Sequence, residues 1–177
     1  MASLGKLWPF RRSRADEDAE RLLSTVTAVS RQPGFYGAGR VPDTLEGRFE
    51  LLTLHAVLAL VRLKASPEAA PLAQSFTDRL FRQFDAGLRE DGVGDLTVPK
   101  KVRKLAGDFY GRLHAYAAAL EGEDASGLQL AIERNIVGEG AAFAAALAGY
   151  ASEVTKRQAA GSLDSLFRLD GWGSAPV

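Results

Sequence analysis

The sequence of 177 residues contains no cysteine and few of the side chains from which catalytic sites are built. The lack of cysteine excludes disulfides, thiolate metal ligands and cysteine nucleophiles, and it fits a reducing compartment. Histidine occurs only at His55 and His114, without the H-E-x-x-H spacing of a zinc site. A G-x-S-x-G motif is absent, and Gly92 to Gly94 lack the third glycine of a dinucleotide-binding fingerprint. We therefore expect no catalytic site, no metal and no cofactor, and predict that the protein is not an enzyme.

A net charge of either sign is also missing. Lysine and arginine total 22, as do aspartate and glutamate, so no overall field attracts DNA or another polyanion. The longest apolar run, Leu51 to Leu63, is interrupted by His55 and Arg62. It is shorter than the roughly 20 residues that cross a bilayer, so no membrane-spanning helix is predicted.

Strand patterns are lacking too, because the β-branched residues are scattered and no alternating run competes with helical spacing. The sequence predicts an all-α fold, a single-domain bundle of about six helices with no significant β-sheet. Helical periodicity and capping signals predict helices over 16–32, 44–64, 66–92, 99–120 and 124–136, and an alanine-rich helix around 143–154. In the second of these, Asp43 is the predicted N-cap and Glu46 its partner.

The predicted domain organisation is a basic and aromatic N-terminal tail over 1–14, a helical domain over 15–170 and a C-terminal tail over 171–177. In the first tail, apolar and basic residues interleave. This pattern is typical of a segment that docks on an anionic lipid interface, and a disordered basic tail is the alternative. The candidate membrane contacts are Leu4, Leu7, Trp8, Phe10, Arg11 and Arg12.

The second predicted helix carries Arg48, His55 and Arg62 at intervals of seven, which places them on one side of the helix. Two interpretations remain open. The arginines could extend along the edge of the core while His55 is hydrogen-bonded among apolar neighbours. Alternatively, the polar line could face a groove and pair with acidic groups of another helix or of a ligand.

The segment from Phe84 to Tyr116 forms a predicted helical hairpin with an unusual charge pattern. Its second helix begins with cations at Lys100, Lys101, Arg103 and Lys104, although positive charge is unfavourable at a helix N-terminus. Neutralisation by the preceding acids Glu90, Asp91 and Asp95 would explain the cluster. Binding of lipid headgroups, RNA phosphate or an acidic protein segment is the alternative. Further along, Gly107 and Gly111 share a face and predict the close approach of another backbone or a bound chain.

Three blocks resemble the ubiquinol-cytochrome c chaperone family: VPDTLEGRFELLTLH at 41–55, FDAGLREDGVGDLTVPKKVRKL at 84–105 and FYGRLHAY at 109–116. The resemblance implies an assembly factor for ubiquinol-cytochrome c reductase that acts on newly made cytochrome b. It also implies that the protein acts together with a ribosome or with a small partner subunit. The implied location is cytoplasmic, peripheral at the inner face of a bacterial inner membrane, or on the matrix side of a mitochondrial one.

We expect the partner to bind in a groove between the second helix and the hairpin. A peripheral membrane protein that binds a lipid or a quinone is the alternative function. The candidate partner-binding residues are Tyr36, Asp43, Arg48, His55, Asp85, Arg89, Glu90, Asp95, Lys101, Lys104, Phe109, Tyr110, Arg112 and Tyr116.

Overall fold

The computed structural model of the chain describes residues 14–90, 97–138 and 141–176. This part of the chain contains six α-helices and no β-strand, which confirms the predicted all-α fold. The helices are α1 Arg14–Ser30, α2 Leu45–Lys64, α3 Ala70–Glu90, α4 Val98–Glu121, α5 Ala125–Ile132 and α6 Phe143–Ala160. A π-helical turn, Glu133–Val137, continues α5. Two 3₁₀ turns, Leu163–Phe167 and Leu169–Trp172, follow α6.

Helix α2 is the centre of the bundle. It contacts α1, α3, α4 and α6, and every residue from 51 to 59 is buried. A helix buried on all sides has no solvent-facing stripe, so its polar residues must find partners inside the protein. The environment of each polar side chain on α2 therefore depends on which neighbouring helix it faces.

The start of α2 differs from the prediction by one residue. The side chain of Thr44, rather than that of Asp43, caps the helix by accepting a hydrogen bond from the Gly47 amide at 3.1 Å. Asp43 instead accepts a bond from Arg48 Nε at 2.7 Å. A Cβ at Gly47 would lie 2.0 Å from the Pro42 carbonyl oxygen, so glycine permits the tight entry into α2.

The segment predicted as a C-terminal tail is packed into the domain over 171–176. Trp172 is completely buried, and its Nε1 donates to the Leu166 carbonyl at 3.1 Å. Gln158 Nε2 donates to the Gly171 carbonyl at 2.9 Å, which ties the segment to α6. The boundary expected at residue 170 therefore divides a continuous packing unit.

Candidate interaction surface

Five aromatic rings join α2, α3 and α4 in one cluster. The ring centroids of Phe49 and Phe84 are 4.9 Å apart, those of Phe81 and Phe109 are 5.4 Å apart, and those of Phe81 and Tyr110 are 5.8 Å apart. Phe84 and Phe109 are buried, Phe49 and Phe81 are half-buried, and Tyr110 is 53% exposed. The cluster thus runs from the core to solvent, and we call its outer part, Phe49, Phe81 and Tyr110, the aromatic edge.

Helical geometry explains why the outer rings reach the surface. Phe76, Leu80 and Phe84 form the buried stripe of α3, and Phe81 lies one residue beside that stripe. On α4, Tyr110 likewise follows the buried Phe109, and adjacent residues of a helix point about 100° apart. One turn before Phe49, α2 also exposes Leu45 by 52%. Large apolar surface is therefore available on α2 and α4 beside half-buried rings.

Beneath the aromatic edge, an ion pair between the buried Glu50 and the partly buried Arg112 connects α2 and α4. Arg112 donates from Nε and Nη2 to the two carboxylate oxygens of Glu50, and its Nη1 donates to the Asp108 carbonyl at 2.9 Å. Its guanidinium lies over the Phe49 ring at 5.9 Å. Burial raises the pKa of Glu50, and the two hydrogen bonds from Arg112 act against that rise. Arg112, predicted to bind a partner, is instead bound within the domain.

Sequence reasoning missed Glu50 as the partner of Arg112. The available signal was its position, because Glu50 is the one acidic residue among the mostly apolar residues 49–59. A carboxylate in such a run needs a cation from another element. The sequence does not reveal that this cation lies 62 residues away on α4.

On another side of α2, His55 is completely buried against α6 and the C-terminal segment. Its Nδ1 lies 2.8 Å from the Leu51 carbonyl and its Nε2 lies 2.9 Å from the Tyr150 hydroxyl. Because a carbonyl only accepts, Nδ1 carries the proton and Nε2 accepts from Tyr150. Burial lowers the pKa of His55 to about 4, so the ring is neutral at neutral pH. This geometry matches the core interpretation and gives no surface for a partner.

Three further predicted contact residues also turn inward. Phe109 and Tyr116 have no exposed surface, and Tyr36 donates its hydroxyl to the Ser30 carbonyl at 2.8 Å. Burial raises the pKa of both tyrosines. The buried rings of Phe109 and Tyr116 cannot supply contact area unless the helices separate, and the partly buried Tyr36 packs against the core. We therefore assign these side chains to the core and leave them out of the proposed surface.

The remaining predicted residues on α2, α3 and α4 are at the surface, mostly in local ion pairs. The pairs are Asp43 with Arg48 at 2.7 Å, Asp85 with Arg89 at 2.8 Å and Lys104 with Asp108 at 2.8 Å. Glu90 and Lys101 are exposed. Seven predicted residues lie outside the described residues: Leu4, Leu7, Trp8, Phe10, Arg11, Arg12 and Asp95.

Phe81 also lines a shallow surface depression of about 400 Å³ along α3, together with Asp78, Arg82 and Asp85. Phe81 is the one apolar residue of this lining, so a protruding apolar side chain would contact its ring while the charged residues lie around it. Across the described ranges, no group of His, Asp or Glu residues is arranged to hold a metal ion. None of the described helices is long and apolar enough to cross a membrane.

Gly107 and Gly111 lie on the exposed face of α4, and a Cβ at either position would meet nothing within 4 Å. The close approach predicted from their spacing is therefore not made by any described backbone of this chain. A bound chain, the other part of that prediction, remains a proposal.

Comparison with known proteins agrees with the all-α fold. Residues 38–169 match the family described as ubiquinol-cytochrome C chaperone. The crystal structure of the Cbp3 homolog from Brucella abortus is 38% identical, with a TM-score of 0.77 over 93% of this chain and 91% of that chain. A search of curated proteins gave no match. The match spans most of the chain, and the family consists of chaperones rather than enzymes. The chain belongs to the ubiquinol-cytochrome c chaperone family.

Proposed function

We propose that this protein, a chaperone for ubiquinol-cytochrome c reductase, captures newly made cytochrome b on its aromatic edge. The observation that carries the proposal is the 53% exposure of Tyr110 within an aromatic cluster whose inner rings are buried. Exposed aromatic surface supported by a rigid core is typical of residues that dominate binding energy. Family membership supplies the class of function, and the cluster supplies the proposed place.

An apolar helix is the form of client that this surface suits. Such a helix would place side chains at i, i+3 and i+4 against Phe81 and Tyr110, and one of them could enter the depression beside Phe81. The surrounding charges lie in exposed pairs, which contribute only about 0–1 kcal/mol each. Arg48, Arg89 and Lys104 can therefore exchange their present carboxylates for polar groups of the client at small cost.

The test is loss of cytochrome b capture without loss of folding. Tyr110→Ser removes apolar area from the aromatic edge, and Leu45→Ser removes it from the exposed residue one helical turn before Phe49. Leu130→Ser with Leu169→Ser is the matched control, because those residues are 64% and 55% exposed. Newly synthesised cytochrome b should copurify with the control pair and fall at least about tenfold for the first pair, since a well-placed aromatic is worth about 2 kcal/mol. Equal capture by both pairs would overturn the proposed surface.

Partners and location follow from this function as further proposals. A chaperone that receives cytochrome b works beside the membrane, peripherally at the inner face of a bacterial inner membrane or on the matrix side. A ribosome or a small partner subunit would take part in the transfer. Copurification under translating conditions, with and without release of nascent chains, checks whether ribosomes accompany the client.

The alternative function, binding of a lipid or a quinone, makes a different prediction. Native mass spectrometry of freshly purified protein should show the mass of the polypeptide alone if cytochrome b is the ligand. A retained isoprenoid or phospholipid mass that is lost in Tyr110→Ser would favour the alternative.

A further inference from the structure

Helix α4 begins with an exposed group of cations. Lys104 is paired with Asp108, whereas no carboxylate of the described residues lies within ion-pair distance of the other three cations. We call these three residues, Lys100, Lys101 and Arg103, the basic turn. All of them are exposed to solvent.

The basic turn works against the stability of its own helix. Cations near a helix N-terminus oppose the helix dipole. Lys100 and Lys104 are also a like-charged (i, i+4) pair, and Lys101 and Lys104 a like-charged (i, i+3) pair, and both spacings bring the charges together. The first-turn amides of Lys100 and Lys101 already bond to the Thr97 carbonyl at 3.2 and 3.1 Å. No described contact of the fold compensates for these charges.

We propose that the basic turn rests on an anionic membrane surface. Flexible lysine and arginine side chains suit a diffuse layer of lipid phosphates, which needs no fixed geometry from the protein. Single-stranded RNA would require aromatic stacking beside the cations, and the first exposed aromatic of α4, Tyr110, lies about 10 Å further along the helix axis from Arg103. The zero net charge leaves only short-range attraction, which fits a protein that meets the surface at one patch.

This surface goes beyond cytochrome b capture and does not depend on it, because the basic turn and the aromatic edge share no residue. The orientation it implies is specific, since the N-terminal end of α4 would face the lipid headgroups. Tyr110 of the aromatic edge would then stand about two to three helical turns, roughly 10 to 15 Å, above the membrane plane. A membrane-embedded client segment could reach that height as it emerges.

Flotation of the full chain with vesicles tests the inference. The probes are phosphatidylcholine vesicles with and without phosphatidylglycerol, and the variant is Lys100→Gln, Lys101→Gln and Arg103→Gln. Each basic residue near an anionic surface changes binding about fivefold, so the triple variant should bind the anionic vesicles roughly a hundredfold more weakly. The matched control is Arg31→Gln, Arg134→Gln and Lys156→Gln, which removes the same charge from exposed positions elsewhere.

The control variant should bind within a few fold of the wild type. Equal loss in both variants, or no loss in the first, would overturn the proposal. Binding of polyuridylate that disappears in the first variant, with vesicle binding unchanged, would overturn it in favour of RNA. Cytochrome b capture measured in detergent should be unaffected by the triple variant of the basic turn. Failure of the membrane proposal is therefore distinguishable from failure of the proposed function.

Thermal unfolding provides the second measurement. Because the cations oppose the helix dipole and one another, the triple variant should melt about 2 to 6 °C higher at low salt. A lower melting temperature would show that the basic turn stabilises the fold, and would contradict a surface kept for an external anion.

Discussion

Polar and aromatic residues are in different environments on two sides of α2, the side that faces α6 and the side that faces α3 and α4. Toward α6 and the C-terminal segment, His55 and Tyr150 bond to each other and are enclosed by the buried Trp172. Toward α3 and α4, the rings pass gradually from the buried Phe84 to the exposed Tyr110. On the first side, which we call the closed side, His55, Tyr150 and Trp172 are hydrogen-bonded inside the domain. The second side, which we call the open side, ends in exposed apolar area. The difference separates side chains that maintain the fold from those that the proposed function assigns to client binding.

The largest expected effect is on the closed side. Trp172→Ala should reduce the free energy of unfolding by about 4 kcal/mol, because it leaves a cavity among completely buried side chains. Urea unfolding followed by circular dichroism measures it. Leu169→Ala, at a 55% exposed position in the same turn, is the control and should change stability by less than about 0.5 kcal/mol. A similar small change for Trp172→Ala would mean that the C-terminal segment is not part of the core.

The next-largest effect on the free energy of unfolding is expected for the Glu50–Arg112 ion pair, which lies below the open side. Arg112→Met should destabilise the protein by about 3 kcal/mol, because the buried Glu50 loses its partner. Adding Glu50→Leu should recover most of that loss, since no unpaired carboxylate remains. Urea unfolding of both single variants and the double variant completes the cycle. Additive losses would show that the two side chains do not act as a pair.

Acidification should lower the free energy of unfolding through His55 on the closed side. Its folded pKa of about 4 lies below the ordinary value of 6.5, so the folded state binds fewer protons than the unfolded chain. The stabilising effect is therefore present above pH 6.5 and is lost as the pH falls toward 4, by about 3 kcal/mol in total. Unfolding free energies of wild type and His55→Gln should converge over this range. A pH slope for His55→Gln equal to that of the wild type would contradict this role of His55.

The smallest stability effect should come from the open side. Tyr110→Ser should change the free energy of unfolding by less than about 1 kcal/mol, because half of the ring is already in solvent. Thermal unfolding checks this. A loss comparable with that of Trp172→Ala would show that Tyr110 belongs to the core and would remove the distinction between the two sides.

Much of the fold was predictable from the sequence because helical periodicity and capping are local. Asp124 caps α5 as predicted, with the Gly127 amide donating to it at 2.8 Å. The C-terminal segment was misread because its glycine, serine and proline residues are typical of a tail. Its burial depends on Gln158 and Leu166, which contact it only after the chain has folded back.

The candidate site was predictable only in part. Periodicity identifies the side of a helix on which a residue lies, but it does not identify the helix that covers that side. Phe109 and Tyr110 are adjacent aromatics in one family block, yet one is buried and the other is 53% exposed. Arg112 was predicted to bind a partner because the sequence around it does not show that Glu50 accepts its hydrogen bonds in the folded domain.

Site-specific photocrosslinking tests the central proposal most directly. A photoreactive phenylalanine analogue placed at Tyr110 would be compared with the same analogue at Leu169, whose exposure of 55% is nearly equal to the 53% of Tyr110. Newly synthesised cytochrome b should crosslink strongly from position 110 and weakly or not at all from position 169. Crosslinking that is equal at the two positions, or confined to position 169, would contradict the aromatic edge as the surface that receives the client.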